Sequence, residues 1–169
     1  ANGCRVVGVD TSAERIRQAK NIGITAVIQE KDLTKNKYIK KITEENSVDA
    51  VIICANTGSN EPIHQAANLC RKKGRVVLVG STGLNISRDD FFEKEITFQV
   101  SCSYGPGRYD ENYEIKGNDY PIGYVRWTEK RNFDAILNAI ALDQLDVSKL
   151  TTDTYQFIEI EKAYKKINL

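Results

Sequence analysis

The sequence contains no methionine and only one histidine, His64. Its four cysteines are far apart, so no pair has the close spacing of a zinc knuckle or a redox dithiol. We therefore predict no metal ligands, and four reduced cysteines that act as small hydrophobic side chains in a cytoplasmic protein. They are Cys4, Cys54, Cys70 and Cys102. Because an initiator methionine is absent and a strand-like segment begins at Cys4, we expect a piece of a longer protein.

An excess of charge of either sign is also lacking, since 24 lysines and arginines face 23 aspartates and glutamates. This balance argues against a nucleic-acid partner or an anionic membrane surface, each of which favours a basic excess. No apolar run approaches the roughly 18 residues of a spanning helix. With 41% hydrophobic and 28% charged residues, the chain is typical of one folded domain.

Apolar, β-branched runs alternate with helical patterns along the chain. This alternation predicts βαβ units, and hence a doubly wound, mainly parallel α/β sheet in a single partial domain, residues 1–169. The predicted strands cover 4–10, 25–28, 48–55, 74–80 and 95–101, with a possible late strand at 155–158. The predicted helices begin at the T-x-x-E capping box of 11–14, pass through 38–42, and cover 61–73, 128–142 and 160–167.

One irregular stretch, at about 103–127, interrupts this rhythm. It holds five of the eight tyrosines and the only tryptophan. So long a structureless stretch inside a compact domain is usually a functional or interface loop. We interpret it as an interface with another domain or subunit, or as a wall of the substrate pocket.

The first predicted strand ends on a carboxylate, Asp10, and passes directly into Thr11 and a helix. Ligands of open parallel sheets bind beyond the carboxyl ends of the strands, where Asp10 can accept two hydrogen bonds from a ribose diol. Such a carboxylate favours NAD, because the 2′-phosphate of NADP would meet a like charge. Arg15, one turn into the helix, can lie against the adenine. The simpler alternative is that Asp10 only caps the helix.

Small residues follow the next strands. Asn56 and Thr57 follow the third predicted strand, and Gly80 and Ser81 follow the fourth. Small side chains there let a flat cofactor approach the backbone, although ordinary turns have the same composition. Cys102, after the fifth strand, offers backbone groups to a carboxamide. We identify no catalytic residue among them.

The phosphate-binding turn of a dinucleotide fold, G-x-G-x-x-G, is missing. It belongs about 20 residues before the ribose acid, which would place it ahead of Ala1. The only G-x-G, at 105–107, has no strand-to-helix context.

Several stretches, in this order and spacing, carry a family resemblance: 7–10, 19–23, 48–52 and 73–80. Together they resemble the coenzyme domain of zinc-type alcohol dehydrogenases, the medium-chain dehydrogenase/reductases. Two more stretches, 103–109 and 119–129, are similar to the bidomain oxidoreductases, in which such a half is fused to an inositol-dehydrogenase-like half in sugar or surface-polysaccharide pathways. The resemblance covers essentially the whole chain.

The resemblance implies a parent enzyme that transfers a hydride between an alcohol or sugar and NAD. It places Asp10 at the ribose, Asn56 and Thr57 near the adenine, and Gly80 with Ser81 near the nicotinamide. The family's glycine-rich turn, catalytic domain and zinc ligands would lie outside this chain. We therefore expect weak or undetectable NAD affinity and no activity for the 169 residues, and either homo-oligomerisation or contact with the missing catalytic domain.

The family's strand order is 3-2-1-4-5-6, and this chain would begin after its central strand. One hypothesis is that the remainder closes into a flavodoxin-like order, 2-1-3-4-5, with every crossover right-handed. The other is an open slot that a strand from a second copy fills.

Two other functions fit part of the pattern. A methyltransferase-like domain also binds a ribose through an acid at a strand end, and its sheet ends in an antiparallel hairpin. A non-catalytic interaction module with a flavodoxin-like sheet is the third possibility.

Overall fold

The structure is a computed structural model that describes residues 3–29 and 32–167. It divides into two compact units, Asn2–Phe133 and Asp134–Leu169. Among the described residues, no helix is both long and apolar enough to cross a bilayer.

Five short parallel strands alternate with helices in the first unit, as the sequence pattern predicts. The strands are β1 (Val7–Asp10), β2 (Thr25–Ile28), β3 (Val48–Ile53), β4 (Cys70–Leu78) and β5 (Thr97–Val100). The helices are α1 (Ala13–Asn21), α2 (Lys37–Thr43), α3 (Glu61–Leu69), α4 (Arg88–Phe92), α5 (Glu111–Glu114) and the start of α6 (Glu129–Ala141). A 3-10 turn, Leu33–Lys35, precedes α2. The predicted α/β class with parallel strands is confirmed.

The strands form two separate sheets. β1 pairs with β2, and β3, β4 and β5 pair in that order, all in parallel. Within 3–29 and 32–167 no ladder joins β1 to β3, so the closed order 2-1-3-4-5 is wrong. Side chains link the sheets instead, because Val7 of β1 and Val51 of β3 both pack against a buried cluster of Leu33, Ile39 and Leu69. That a second copy supplies a strand stays a prediction.

The main hydrophobic core lies between α3 and the three-stranded sheet. Its buried members are Ile53, Ile63, Ala66, Cys70, Val76 and Leu78. Burial of an aliphatic side chain of this size contributes about 1.5–3 kcal/mol, so this layer fixes the position of β3 and β4. Phe91 and Phe98 extend the core, with their rings edge to face and 6.1 Å apart.

Helix α3 is shorter than its sequence pattern predicts. It ends at Leu69 and not at Lys73, because the backbone of Cys70 already pairs with Val48 of β3. The ammonium group of Lys94 caps the carboxyl end of the helix. Its Nζ donates to the carbonyl oxygens of Ala67, Asn68 and Cys70 at 3.0, 2.8 and 3.1 Å. A cation at this position stabilises the negative end of the helix dipole.

The second unit contains the rest of α6, a 3-10 turn at Ser148–Leu150, another at Phe157–Glu159, and the final helix α7 (Ile160–Ile167). The predicted helix at 160–167 is confirmed. The possible strand at 155–158 is wrong, because Glu159 accepts a hydrogen bond from the backbone nitrogen of Gln156 in a capping box that begins a helix there.

Candidate functional site

Asp10 is the last residue of β1 and lies at the carboxyl end of the smaller sheet. Its Oδ1 accepts a hydrogen bond of 2.8 Å from the backbone nitrogen of Ser12, the N-cap of α1. Its Oδ2 lies 3.5 Å from Nη1 of Arg15. The side chain is 30% exposed, so Oδ2 keeps capacity for a further donor from outside. Asp10 therefore orients the start of α1, and its carboxylate stays partly exposed.

Thr11 and Arg15 flank this carboxylate and are exposed. The capping residue differs from the prediction, since Ser12 and not Thr11 accepts from a helix nitrogen, that of Arg15 at 3.4 Å. Thr11 is thus free of the capping role within the described residues. Arg15 remains within reach of whatever Asp10 binds.

The loops after β3 and β4 are joined to each other at the carboxyl edge of the larger sheet. Asn56 and Ser81 form a parallel bridge beyond the named strands. The nitrogen of Thr57 donates to the Ser81 carbonyl at 2.8 Å, and the nitrogen of Ser81 donates to the Ala55 carbonyl at 3.0 Å. The four predicted residues of these loops therefore form one continuous edge.

Glycine is required at position 80 for this edge to form. A Cβ atom there would lie 2.2 Å from the carbonyl oxygen of Ala55 and 2.7 Å from the carbonyl carbon of Cys54, well inside any real contact. The nitrogen of Gly80 shares the Ile53 carbonyl with the nitrogen of Val79. The two loops approach each other closely because no side chain stands between them.

A further hydrogen bond joins these loops, and the two residues that form it, Asn60 and Asn85, are not among the predicted site residues. The side-chain oxygen of Asn60 accepts a hydrogen bond of 2.9 Å from the nitrogen of Asn85. A Cβ at Gly83 would lie 2.3 Å from that same oxygen. The only signal in the sequence is the density of small polar residues at 56–60 and 80–83, which favours turns but does not pair them.

The eight predicted residues thus fall into two groups and one isolated member. Asp10, Thr11 and Arg15 lie together at the end of the two-stranded sheet. Asn56, Thr57, Gly80 and Ser81 lie together at the end of the larger sheet. Cys102 follows β5 at the same edge, is exposed, and accepts a hydrogen bond of 2.9 Å from the Gly105 nitrogen. Within the described part of the chain no hydrogen bond or ion pair links the two groups.

The cysteines and His64 differ in part from expectation. All four cysteines are free thiols, but only Cys70 is buried, so the hydrophobic role predicted for the others is wrong. Burial raises the pKa of the Cys70 thiol, which makes it unreactive. Nδ1 of His64, in α3, is hydrogen bonded to Asp90 of α4, as fits a structural histidine.

A family model described as zinc-binding dehydrogenase matches residues 1–116. This chain belongs to that family. The expected resemblance to zinc-type alcohol dehydrogenases is therefore confirmed at the level of the family.

Curated relatives match nearly the whole chain. Alcohol dehydrogenase class-P of Arabidopsis thaliana is 29% identical over 167 residues, which cover 97% of this chain. Alcohol dehydrogenase 2 of Solanum tuberosum is 26% identical over the same length. The chain spans 38% of the length of each of these relatives.

Solved structures show the same fold at lower identity. A short chain alcohol dehydrogenase from E. coli CFT073, crystallised with NADH, is 17% identical and superposes with a TM-score of 0.64 over 98% of this chain and 41% of that one. Benzyl alcohol dehydrogenase from Acinetobacter calcoaceticus is 18% identical, with a TM-score of 0.59 over 96% of this chain and 39% of that one. These likenesses support the Rossmann-like architecture.

The residues present do not fit a zinc ion. No group of three or more histidines, cysteines, aspartates or glutamates comes together within 3–29 and 32–167. A nucleotide coenzyme fits better, since the partly exposed carboxylate of Asp10 lies at the carboxyl end of a parallel strand, where such ligands bind.

Proposed function

We propose that residues 1–169 form a single, partial coenzyme-binding domain of an NAD-dependent oxidoreductase. The whole protein would transfer a hydride between a small-molecule alcohol or sugar and NAD. The observation that carries this proposal is the Asp10 carboxylate, which accepts a hydrogen bond from the Ser12 nitrogen and is 30% exposed at the end of β1.

Asp10 supports NAD as the coenzyme for an electrostatic reason. A carboxylate accepts hydrogen bonds from the two hydroxyl groups of the adenosine ribose, whereas the 2′-phosphate of NADP would bring a second negative charge to the same oxygen. Arg15 lies only 3.5 Å from Oδ2. It would cover the adenine while it partly neutralises the carboxylate.

The second group of residues would bind further parts of the coenzyme. Asn56 and Thr57 would line the adenine side, and Gly80 and Ser81 the nicotinamide side, with backbone groups at Cys102 available to the carboxamide. NAD, when bound, supplies a ring that accepts a hydride. The part that we propose for the protein at this edge is to bind and orient the coenzyme.

We propose that the 169-residue chain binds NAD weakly and does not catalyse hydride transfer. Its sequence has no G-x-G-x-x-G turn, and so lacks the helix N-terminus that neutralises a pyrophosphate. Zinc, if the whole protein uses it, would be held elsewhere. The exposed thiols of Cys4, Cys54 and Cys102 support a reducing, cytoplasmic location.

The methyltransferase-like alternative has less support. Its sheet needs an antiparallel hairpin at the end, and residues 155–158 form no strand. No observation favours a plain interaction module over a coenzyme domain.

A titration followed by amide chemical shifts tests the proposal. NAD added to the 169-residue chain should shift the amide signals of Ser12 and Ser81 with weak affinity, and NADP should shift Ser12 less. Asp10→Asn should remove the preference for NAD, whereas Asp134→Asn, an exposed aspartate with no ion pair in the described chain, should leave it unchanged. Equal responses to NAD and NADP, or NAD-induced shifts confined to other residues, would contradict the site, and a low-micromolar dissociation constant would contradict weak binding.

A further inference from the structure

A half-buried pair of glutamines connects the two sheets beside Asp10. Gln29 follows β2, and its backbone nitrogen donates to the Asp10 carbonyl oxygen at 2.9 Å. Its side-chain Nε2 donates to Oε1 of Gln65 in α3, 36 positions further along the chain. Since β1 and β2 form their own sheet and α3 packs on the larger one, this side-chain hydrogen bond crosses from one sheet to the layer that covers the other.

From Gln65 the hydrogen bonds continue through the start of α3 into the loop after β3. Nε2 of Gln65 donates to Oε1 of Glu61 at 3.1 Å, one turn earlier in the same helix. The nitrogen of Glu61 donates to Oγ of Ser59 at 3.1 Å, and the nitrogen of Ser59 donates to Oγ1 of Thr57 at 3.2 Å. The nitrogen of Thr57 donates in turn to the carbonyl oxygen of Ser81 at 2.8 Å.

This continuous series of hydrogen bonds from Asp10 to Ser81 is called here the polar link. It connects the two groups of candidate site residues, which have no direct hydrogen bond to each other within the described chain. It begins at the end of β1, passes through the two glutamines, and reaches the edge that the loops after β3 and β4 share. The two halves of the candidate site are therefore joined by polar groups as well as by apolar packing.

The polar link restricts the separation of the sheets more sharply than the apolar contacts do. The buried cluster of Leu33, Ile39 and Leu69 also lies between the sheets, but the hydrophobic effect has no preferred direction. A hydrogen bond has a narrow range of length and angle. Because both glutamines are half-buried, water competes less for their amide groups than it does at the surface.

We propose that Gln29 and Gln65 are positioning residues that hold the Asp10 and Ser81 groups at the separation that one NAD molecule spans. This inference rests on the proposed function, because only a ligand that contacts both groups requires a fixed separation. A separation that is set before binding reduces the entropy lost when the ligand docks, and the combined affinity of two linked contacts depends on their geometry. Neither glutamine has to contact the coenzyme.

A double-mutant cycle followed by amide chemical shifts tests the proposal. Gln29→Leu and Gln65→Leu each remove the bond between the glutamines. We expect either variant to raise the dissociation constant of NAD, read from the amides of Ser12 and Ser81, by about three- to tenfold. The double variant should show no further rise, because both substitutions break the same contact. Two effects that multiply in the double variant would overturn the proposal.

Nicotinamide mononucleotide distinguishes positioning from a general loss of structure. This probe lacks the adenosine of NAD, so in the proposed site it contacts the Ser81 group and not Asp10. Its dissociation constant, read from the Ser81 amide, should be the same in the parent chain and in both single variants. A variant that weakens NAD and the mononucleotide equally would show a damaged binding edge and would overturn the proposal.

Two further variants serve as control and rescue. Gln18→Leu is the matched control, because Nε2 of Gln18 donates to Oε1 of Glu14 at 3.2 Å within α1, the same four-residue spacing without a contact between sheets. It should leave the dissociation constant of NAD unchanged. Gln29→Glu combined with Gln65→Lys replaces the amide contact by a pair of opposite charges, and it should recover most of the affinity that the leucine variants lose.

Limited proteolysis of the free chain supplies a measurement without any ligand. Trypsin should cleave α1, at Arg15 and Arg17, about three- to tenfold faster in the leucine variants, because the smaller sheet opens more often. Cleavage within β4 should stay as slow as in the parent chain. Unchanged cleavage of α1, or an unchanged dissociation constant of NAD, overturns the inference. If NAD shifts no signal of the parent chain, the proposed function fails, whereas the cleavage rates still decide whether the polar link holds the sheets.

Discussion

The carbonyl oxygen of Ala55 occupies the place that a side chain at position 80 would need. A Cβ built on Gly80 lies 2.2 Å from that oxygen, and the next residue, Ser81, donates to it at 3.0 Å. The close approach of these two loops is therefore built into the backbone and does not depend on a ligand.

Substitution of Gly80 by alanine is expected to destabilise the larger sheet. The added methyl group has to displace backbone and not a flexible side chain, so we expect a loss of about 1–3 kcal/mol in the free energy of unfolding, measured by urea denaturation. Gly58→Ala is the matched control, because nothing lies within 4 Å of its Cβ position. Equal losses for the two variants would contradict the described loop geometry.

Lys94→Met tests the end of α3. The substitution leaves the carbonyls of Ala67, Asn68 and Cys70 without their shared cation, and we expect a cost of about 1–3 kcal/mol in unfolding free energy. Lys72→Met, an exposed lysine without an ion pair in the described chain, should change stability by less than about 0.5 kcal/mol. A Lys94 variant as stable as the parent chain would contradict this stabilising role of the ammonium group.

Alkylation should separate the cysteines by exposure. Under native conditions iodoacetamide should modify Cys4, Cys54 and Cys102, which are exposed, and spare Cys70, whose burial raises the pKa of its thiol. Mass spectrometry should count three adducts before unfolding and four after it. Modification of Cys70 in the folded chain would contradict its place in the core.

The irregular stretch at about 103–127 should respond to acid through Asp110. The Tyr120 hydroxyl and the Asn112 nitrogen donate to this carboxylate and lower its pKa below the usual 3.8. A lowered pKa stabilises the folded state above pH 3.8, and this stabilisation is lost as the pH falls through the folded value. The stability difference between the parent chain and Asp110→Asn, followed by fluorescence of Trp127, should therefore shrink below about pH 4. A difference independent of pH would contradict the hydrogen bond.

Local sequence patterns predict the helices and strands better than the residues at which they begin and end. The apolar run of β3 and the amphipathic pattern of α7 identify a strand and a helix without further information. The end of α3 is different, because the pattern continues to Lys73 while the helix ends at Leu69, where the backbone of Cys70 pairs with Val48, more than 20 residues away. Such a tertiary contact leaves no mark in the local sequence.

In the candidate site, too, the sequence predicts the position of residues along the chain but not their tertiary contacts. The sequence places Asn56 and Ser81 at the carboxyl ends of two predicted strands, and the structure joins them by a bridge at one edge of the sheet. The hydrogen bond between Asn60 and Asn85 joins residues 25 positions apart, and no periodic pattern in the sequence predicts it. The sequence also does not predict whether β1 pairs with β3, because the pattern of a strand does not specify which strands lie beside it.

Because the strands form two separate sheets, a bound coenzyme would have a mechanical effect on the protein. Asp10 ends a sheet of only two strands, an arrangement that is marginally stable alone, and side chains rather than a ladder connect it to β3. A ligand that touches both Asp10 and Ser81 would clamp the two sheets together. Slower amide exchange in β1 and β2 than in the free chain would then report occupancy of the site from a distance.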